Sequence, residues 1–269
     1  MRSHQRLSYA ALFRAASAAL EKLARDPRFL GAARIGFTAV LHTWGRQLTY
    51  HPQLHVVVPA GAVSDDGKKW LASRPDFLVP VKALSKIFRA KFRQEMLRAG
   101  LLDQIDPAVW TEAFVTDSRA VGGGESTLRY LSRYVLRVAI SNARIVALDD
   151  GRVRFRWKKS GSRRGRTMEL DAFEFLRRFL QHVLPSGFQK VRHYGFLSPQ
   201  SAISLEDVRA LVAVQNAAAR EAIATAPRVL DASSITAPKA ITEPTCPHCG
   251  RRLRVVEICF HRVGFRDSG

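Results

Sequence analysis

The segment YHPQLHVVVP, residues 50–59, constrains the fold of this chain more than any other stretch. Three consecutive valines closed by Pro59 make a β-branched run too short for a helix, and it reads as a core strand. His51, Gln53 and His55 alternate along it, and side chains at i, i+2 and i+4 of a strand share one face. Two imidazoles and an amide oxygen converging there form a set that can hold a divalent cation such as Mg2+ or Mn2+. The same alternation also suits ordinary strand histidines at a sheet surface. A second strand-like run, RIGFTAVLHTW at 34–44, precedes it.

Helical periodicity accounts for much of the rest. Leu12, Phe13, Ala16, Leu20 and Leu23 predict an amphipathic helix over 8–25, ended at Asp26-Pro27, and Leu84, Ile87, Phe88 and Phe92 predict another over 82–99. A short helix near 109–114 and a strand lead to a flexible joint at Gly122-Gly123-Gly124. Residues 126–140 then carry an apolar stripe of Leu128, Leu131, Val135 and Val138 at helical spacing. Asp149-Asp150-Gly151 supplies the turn of a hairpin over 143–157, followed by a basic loop, SGSRRGR. Further helices are expected near 171–184 and 204–224, and beyond Pro227 the chain reads as a linker. The expected architecture is α+β: a mainly antiparallel sheet with the histidine strand near its centre, flanking helices and a small cysteine-containing C-terminal tail.

Charge narrows the function. The chain has 269 residues, with 43 Lys and Arg against 23 acids and a formal net charge of +20. Such an excess points to a polyanionic partner. It is concentrated from Arg129 through Met168, which holds twelve basic residues and two acids. On the second hairpin strand Arg152, Arg154, Arg156 and Lys158 alternate with Val153, Phe155 and Trp157. Lys159, Arg163, Arg164 and Arg166 continue the charge into the loop. Basic side chains interleaved with rings suit a nucleic-acid backbone with bases available for stacking. Tyr130 and Tyr134 lie one turn apart on the expected helix, off its apolar stripe and beside Arg133 and Arg137, where they can meet a phosphate. Tyrosines so spaced also occur as packing residues.

Cys246, Cys249 and Cys259 cluster near the C-terminus, an odd number that does not make a disulfide framework and fits a reducing, cytoplasmic setting. The CxxC pair is half of a zinc knuckle, and Cys259 with His261 can complete four ligands. No apolar run approaches the roughly 20 residues of a membrane span, and no nucleotide-binding signature is present.

Together these segments resemble the two-tyrosine HUH transposases of rolling-circle insertion sequences, the insertion-sequence-ninety-one family. LHTWGRQLTYHPQLHVVVPAGAVS is similar to that family's metal-binding strand and lead-in, and LRYLSRYVLRVAISNARI to its tyrosine helix. DGRVRFRWKKSGSRRGRTMEL, FLRRFLQHVLPSGFQKVRHYGFL and CPHCG follow in the family's order. The resemblance implies a bacterial catalytic domain over 1–200, a helical extension at 201–226, and a linker with a zinc knuckle at 227–269. It implies nicking and rejoining of single-stranded DNA, at the element's ends and its target, by Tyr130 or Tyr134 through a 5′-phosphotyrosine. His51, Gln53 and His55 would hold Mg2+ or Mn2+, and the cysteines Zn2+. Two departures are evident. Gln53 stands where the family has the first histidine of a His-hydrophobic-His pair. The family's zinc ribbon and a further strand normally precede the first helix seen here, and Met1 lies just past that point. A shortened copy missing one strand, binding single strands without cutting them, is the alternative expectation. A nuclease using water is a further rival.

Overall fold

The structure, a computed structural model, describes residues 1–225 and 253–259 except Ala33, Pro75, Asp76, Gly123, Leu136, Arg137, Ser160, Gly161 and Arg163. In chain order its elements are α1 (Gln5–Ala24), β1 (Phe37–Trp44), β2 (Tyr50–Val58), β3 (Gly61–Val63), β4 (Trp70–Ala72), α2 (Val81–Arg98), β5 (Val115–Gly122) and α3 (Gly124–Val135). There follow β6 (Ile145–Asp149), β7 (Arg152–Lys158), β8 (Gly165–Asp171), α4 (Ala172–Leu180), β9 (Val191–Tyr194), α5 (Leu205–Thr225) and β10 (Leu253–Cys259). This is the α+β arrangement of antiparallel sheets and helices that the sequence implies.

The β1–β2 hairpin is the spine. Its connection is closed by the Gly45 amide donating to the Thr49 carbonyl at 2.8 Å, and Leu48 takes a left-handed φ of 59°. Every residue of β2 from Pro52 to Val58 is buried, so both faces of this strand are covered. Leu54, Val56 and Val58 join Phe37, Ala39 and Leu41 in one large core with α1 and α2. Tyr9, Leu12, Phe13, Ala16 and Leu20 of α1 and Leu84, Phe88 and Phe92 of α2 supply its helical side. The opposite face, bearing Gln53 and His55, lies under α3.

Four of the five strands in this sheet come from the first two hundred residues and one from the C-terminal segment. The order is β5-β10-β2-β1-β9, antiparallel at each of the four neighbouring pairs. Val256 of β10 stands opposite Val56 on one side and Ser118 on the other. The stretch read as linker and tail thus contributes a strand that separates β2 from β5. Its Cys259 is the last residue of that strand, while Cys246, Cys249 and His261 lie outside the described residues.

Two smaller units flank the sheet. β6, β7 and β8 form an antiparallel sheet on which α4 packs, around Val153, Phe155 and Phe175 with Leu48, Ala139 and Ile140. Asp150 and Gly151 have φ of 48° and 73°, the positive pair that a two-residue hairpin turn requires. β8 occupies part of what reads as loop and helix in the sequence, because its alternation, GRTMELD, is masked by the basic run before it. β3 and β4 pack with α5 around Trp70, Phe196 and Val208. Lys190 Nζ donates to the Val135 carbonyl, at the C-terminal end of α3 as described, at 2.7 Å. Val138 therefore falls beyond the helix and is exposed, so it does not belong to the stripe expected over 126–140.

A proline at position 256 removes a ladder donor from a strand paired on both sides. Val256→Pro is expected to destabilise the chain by roughly 1–3 kcal/mol, on the order of 5 °C in the thermal midpoint. A circular-dichroism melt indistinguishable from the parent would show that β10 does not hold β2 and β5 together.

Candidate functional site

Hairpin register builds the site. His42 stands opposite Gln53, and the Gln53 Nε2 to His42 Nδ1 distance is 2.6 Å. His55 follows two residues along β2, fully buried, with its ring centroid 5.5 Å from that of His42. Trp44 meets the His42 ring edge-on at 4.3 Å. From above, α3 brings the Tyr130 hydroxyl to 3.1 Å from His55 Nδ1, with the two rings at 70°. Thr127, one turn earlier, is buried too. A cleft of about 360 Å³ is lined by Glu125, Ser126, Arg129 and Tyr130.

Burial in this setting favours neutral imidazoles. It pushes His42 down to about 3, helped by charge on His51, His182 and Lys190. Burial likewise pushes His55 down to about 3, with His42 adding to the effect. Neutral imidazole is the form that ligates metals. Beside the Gln53 amide, the pair makes a donor set of two nitrogens and one amide group, which fits a borderline or moderately hard divalent ion.

The strand brings Gln53 and His55 together as its alternation predicts, and α3 adds Tyr130. His51 is placed differently. The β1–β2 register slips by one residue between His42 and Trp44, so the extra residue lies on β2 between Tyr50 and Gln53. That bulge interrupts the alternation on which the i, i+2, i+4 face depends. His51 is half-buried and acts on His42 through its charge. Among the described residues, no three His, Cys, Asp or Glu side chains gather to hold a metal by themselves. Sequence reasoning missed His42. Pairing LHTW against HPQLH around the 45–49 turn would have found it. Tyr134 and Arg133 are placed on α3 by their backbone, and Arg137 lies outside the described residues.

The basic hairpin sorts its charges. Arg152 pairs with Glu169 at 2.9 Å, and Arg154 lies 3.3 Å from both Asp149 and Glu169. Arg156, Lys158, Lys159, Arg164 and Arg166 are exposed, and the Arg166 guanidinium stands 5.7 Å from the Trp157 ring centre. Arg163 is outside the described residues. Arg46, just after β1, donates to the Lys158 and Lys159 carbonyls, and Arg144 donates to the carbonyls of Arg46 and Arg156. These links tie the open end of the basic hairpin to the loop that follows His42 and Trp44.

A family model described as "Putative transposase" matches residues 36–203, a span that includes the His42–Gln53–His55 cluster, Tyr130 and the basic hairpin. The chain is 45% identical over 212 residues to "Putative transposase y4qJ" of Sinorhizobium fredii (strain NBRC 101917 / NGR234), covering 71% of this chain and 53% of that protein. It is 26% identical over 207 residues to "Transposase for insertion sequence element IS801" of Pseudomonas savastanoi pv. phaseolicola, covering 67% of this chain and 48% of that one. The chain thus spans about half the length of these relatives. No solved structure matches it. Among the described residues, no helix is long and apolar enough to cross a membrane.

Because His42 and His55 are held near 3 in the fold and return to about 6.5 when unfolded, the unfolded chain binds more protons between those values. Unfolding free energy should therefore fall as pH drops from about 6.5 toward 3. In urea titrations at pH 7 and pH 5, the double variant His42→Gln/His55→Gln is expected to lose less stability than the parent. The difference should reach up to roughly 1.4 kcal/mol per pH unit for each histidine removed. Equal losses would show that the pair is not buried neutral.

Proposed function

Since the chain belongs to the insertion-sequence-ninety-one family of transposases, we propose that it nicks and rejoins single-stranded DNA through a phosphotyrosine. The observation that carries this reading is the 3.1 Å contact between the Tyr130 hydroxyl and His55, beside His42 and Gln53. A phenol within hydrogen-bonding reach of a buried donor set is placed as a nucleophile needs to be.

A divalent ion, Mg2+ or Mn2+, held through Gln53 and His55 beside His42, would polarise the scissile phosphate and stabilise charge on the leaving 3′ oxygen. The chain's own groups do the rest. His55 meets Tyr130 through Nδ1 and would offer its buried Nε2 to the ion. An imidazole engaged at Nε2 keeps its proton on Nδ1 and donates it to the phenolic oxygen. That favours the phenolate, whereas a free phenol with a pKa near 10 is a poor nucleophile at neutral pH. The Tyr130 oxygen forms the new bond to phosphorus as the bond to the 3′ oxygen breaks, and the net proton passes from phenol to the 3′-OH. Attack by a 3′-OH on the 5′-phosphotyrosine reverses the step without ATP, because the ester bond is kept.

Tyr130, the tyrosine bonded to His55, makes the first cut in this reading. Tyr134 lies about 6 Å further along the α3 axis and serves the second strand. Arg156, Lys158, Lys159, Arg164 and Arg166 hold the single strand, with Trp157 available for stacking. Arg152 and Arg154 contribute less, since Glu169 and Asp149 already neutralise them. Zinc at Cys246, Cys249, Cys259 and His261 belongs to the proposal on the strength of the CxxC spacing.

Incubating the chain with end-labelled single-stranded DNA from the element's ends and Mn2+ tests the chemistry. Label should migrate with the protein under denaturing conditions. The adduct should fall on the order of 1,000-fold or more in Tyr130→Phe and vanish in Tyr130→Phe/Tyr134→Phe, while DNA binding persists. Binding without capture by the parent would mark a non-catalytic DNA-binding protein, and cleavage without a protein-linked product would mark a water nuclease. The binding surface has its own test in anisotropy titrations against salt. Lys158→Ala and Arg166→Ala should each lower the slope of log K on log salt by about 0.7, and Arg152→Ala by clearly less. Equal effects at all three positions would remove the distinction drawn between paired and available arginines.

A further inference from the structure

We propose that the apolar flank of α4 and the uncovered part of β6 beside it form a self-association surface, on which a second copy of this chain docks about a two-fold axis. The inference concerns assembly and does not depend on the phosphotyrosine reading.

Clustering is the first observation. Fourteen large apolar side chains are exposed among the described residues, and eight of them lie between Val138 and Val183. Scattered exposed apolar residues are ordinary, whereas a contiguous group marks an interaction surface. Phe173, Leu176 and Leu180 are spaced by three and four along α4. The Val183 amide donates to the Leu180 carbonyl at 3.1 Å, so the following turn carries a fourth member onto the row. Phe173 is 82% exposed and Leu180 60%. This spacing is the seam by which helices pair with one another.

The small sheet explains why the flank is bare. Phe175 and Phe179 pack inward with Val153 and Phe155, and Arg178 reaches Met168 of β8. α4 therefore sits over β7 and β8, with its Leu176–Leu180 flank towards β6. Ile145 stands opposite Phe155 and Leu148 opposite Val153, which puts both on the face that α4 packs against. Both are nevertheless exposed, Leu148 to 68%. At the far end Val138, 63% exposed, lines one cleft with Phe179 and Val183. A ridge of helix side chains thus runs beside a trough floored by β6.

Shape and size name the occupant. A ridge beside a trough is self-complementary, because a two-fold axis seats each ridge in the partner's trough. The exposures of the three α4 residues, Val183, Ile145, Leu148 and Val138 together amount to about four whole side chains, on the order of 500 Å². A symmetric pair then buries about 1,000 Å², the level a specific interface needs. Charge permits the pairing. Arg152, Arg154, Arg156 and Lys158 alternate along β7 with Val153 and Phe155, so they project from the other face of the small sheet. Joined through their apolar faces, two copies keep these cations on the outside, where salt screens their repulsion, and both basic hairpins stay open.

Sedimentation equilibrium of the full chain without DNA, from about 1 to 100 μM in about 0.3 M salt, is the test. The parent should be mainly dimeric at the upper end. Phe173→Glu and Leu180→Glu should each weaken association by at least about 10-fold, with an unchanged far-ultraviolet spectrum. Leu97→Glu, at an exposed position of α2, should stay within about 3-fold of the parent. Hydrogen exchange needs no substitution: amides of 145–148 and 172–183 should slow as the parent passes from monomer to dimer. A parent still monomeric at about 100 μM would overturn the proposal, and slow exchange over 172–183 in that monomer would assign the cover to another segment of the same chain. A dimer that withstands both Phe173→Glu and Leu180→Glu would overturn its placement on this face.

Discussion

The pairing of β1 with β2 is the interaction on which the rest of the structure depends. β2 is covered on both sides, and its two faces have opposite chemistry. Leu54, Val56 and Val58 enter the apolar core made with α1 and α2, while Gln53 and His55 enter a polar layer beneath α3. A slip of one residue would drive an imidazole and an amide into that core and bring the aliphatic side chains under α3. A buried polar group without a partner costs about 1–3 kcal/mol, so the register is fixed by polar residues as firmly as by valines. The contacts that satisfy Gln53 and His55, His42 in one case and Tyr130 in the other, are also the contacts that make the site. The same hydrogen bonds thus hold the register and shape the candidate site.

Much of this was legible in the sequence, for a local reason. β2, α1, α2 and the β6–β7 hairpin each carry their period within ten to twenty consecutive residues, and the Asp150-Gly151 turn announces itself. Gln53, His55 and Tyr130 could be singled out because each lies on an element whose type was plain. What escaped depends on pairing between distant segments. His42 matters because it faces Gln53, a fact of register and not of composition. The bulge that displaces His51 has no signature in YHPQLH beyond an unassuming proline. β10 reads as tail because its partners, β2 and β5, are well over a hundred residues away in the chain. β8 was hidden by the basic run before it, and with it Glu169, which neutralises two of the arginines that composition alone offers to DNA.

That last point changes how the charge of the chain should be understood. A net charge of +20 describes affinity for a polyanion, but not where the polyanion lies. In the structure Arg152 and Arg154, though exposed, pair with carboxylates of the small sheet, while Arg156, Lys158, Lys159, Arg164 and Arg166 lie exposed beyond those carboxylates. Arg152 and Arg154 cross-link β7 to β8 and the β6 turn, and Arg144 spans β6, β7 and the loop after β1. The exposed group from Arg156 to Arg166 gathers at the other end of the hairpin, which Arg46 ties to the same loop. Braced arginines therefore set the position of the available ones relative to His42 and Trp44.

A surface that grips a strand and a site that acts on it must keep a fixed separation, or binding energy cannot be turned to orientation. In this chain the basic hairpin and the face bearing His42, Gln53 and His55 both hang from the 45–49 connection. On one side it continues directly into the strands bearing His42, Gln53 and His55. On the other, Leu48 is buried in the core of the three-stranded sheet with Phe155 and Phe175, and Arg46 holds the backbone at Lys158 and Lys159. Leu48 achieves its insertion with a left-handed backbone, which an aliphatic residue adopts only where the surroundings impose it. The strained, buried turn is thus the joint between the basic hairpin and the face that bears His42, Gln53 and His55.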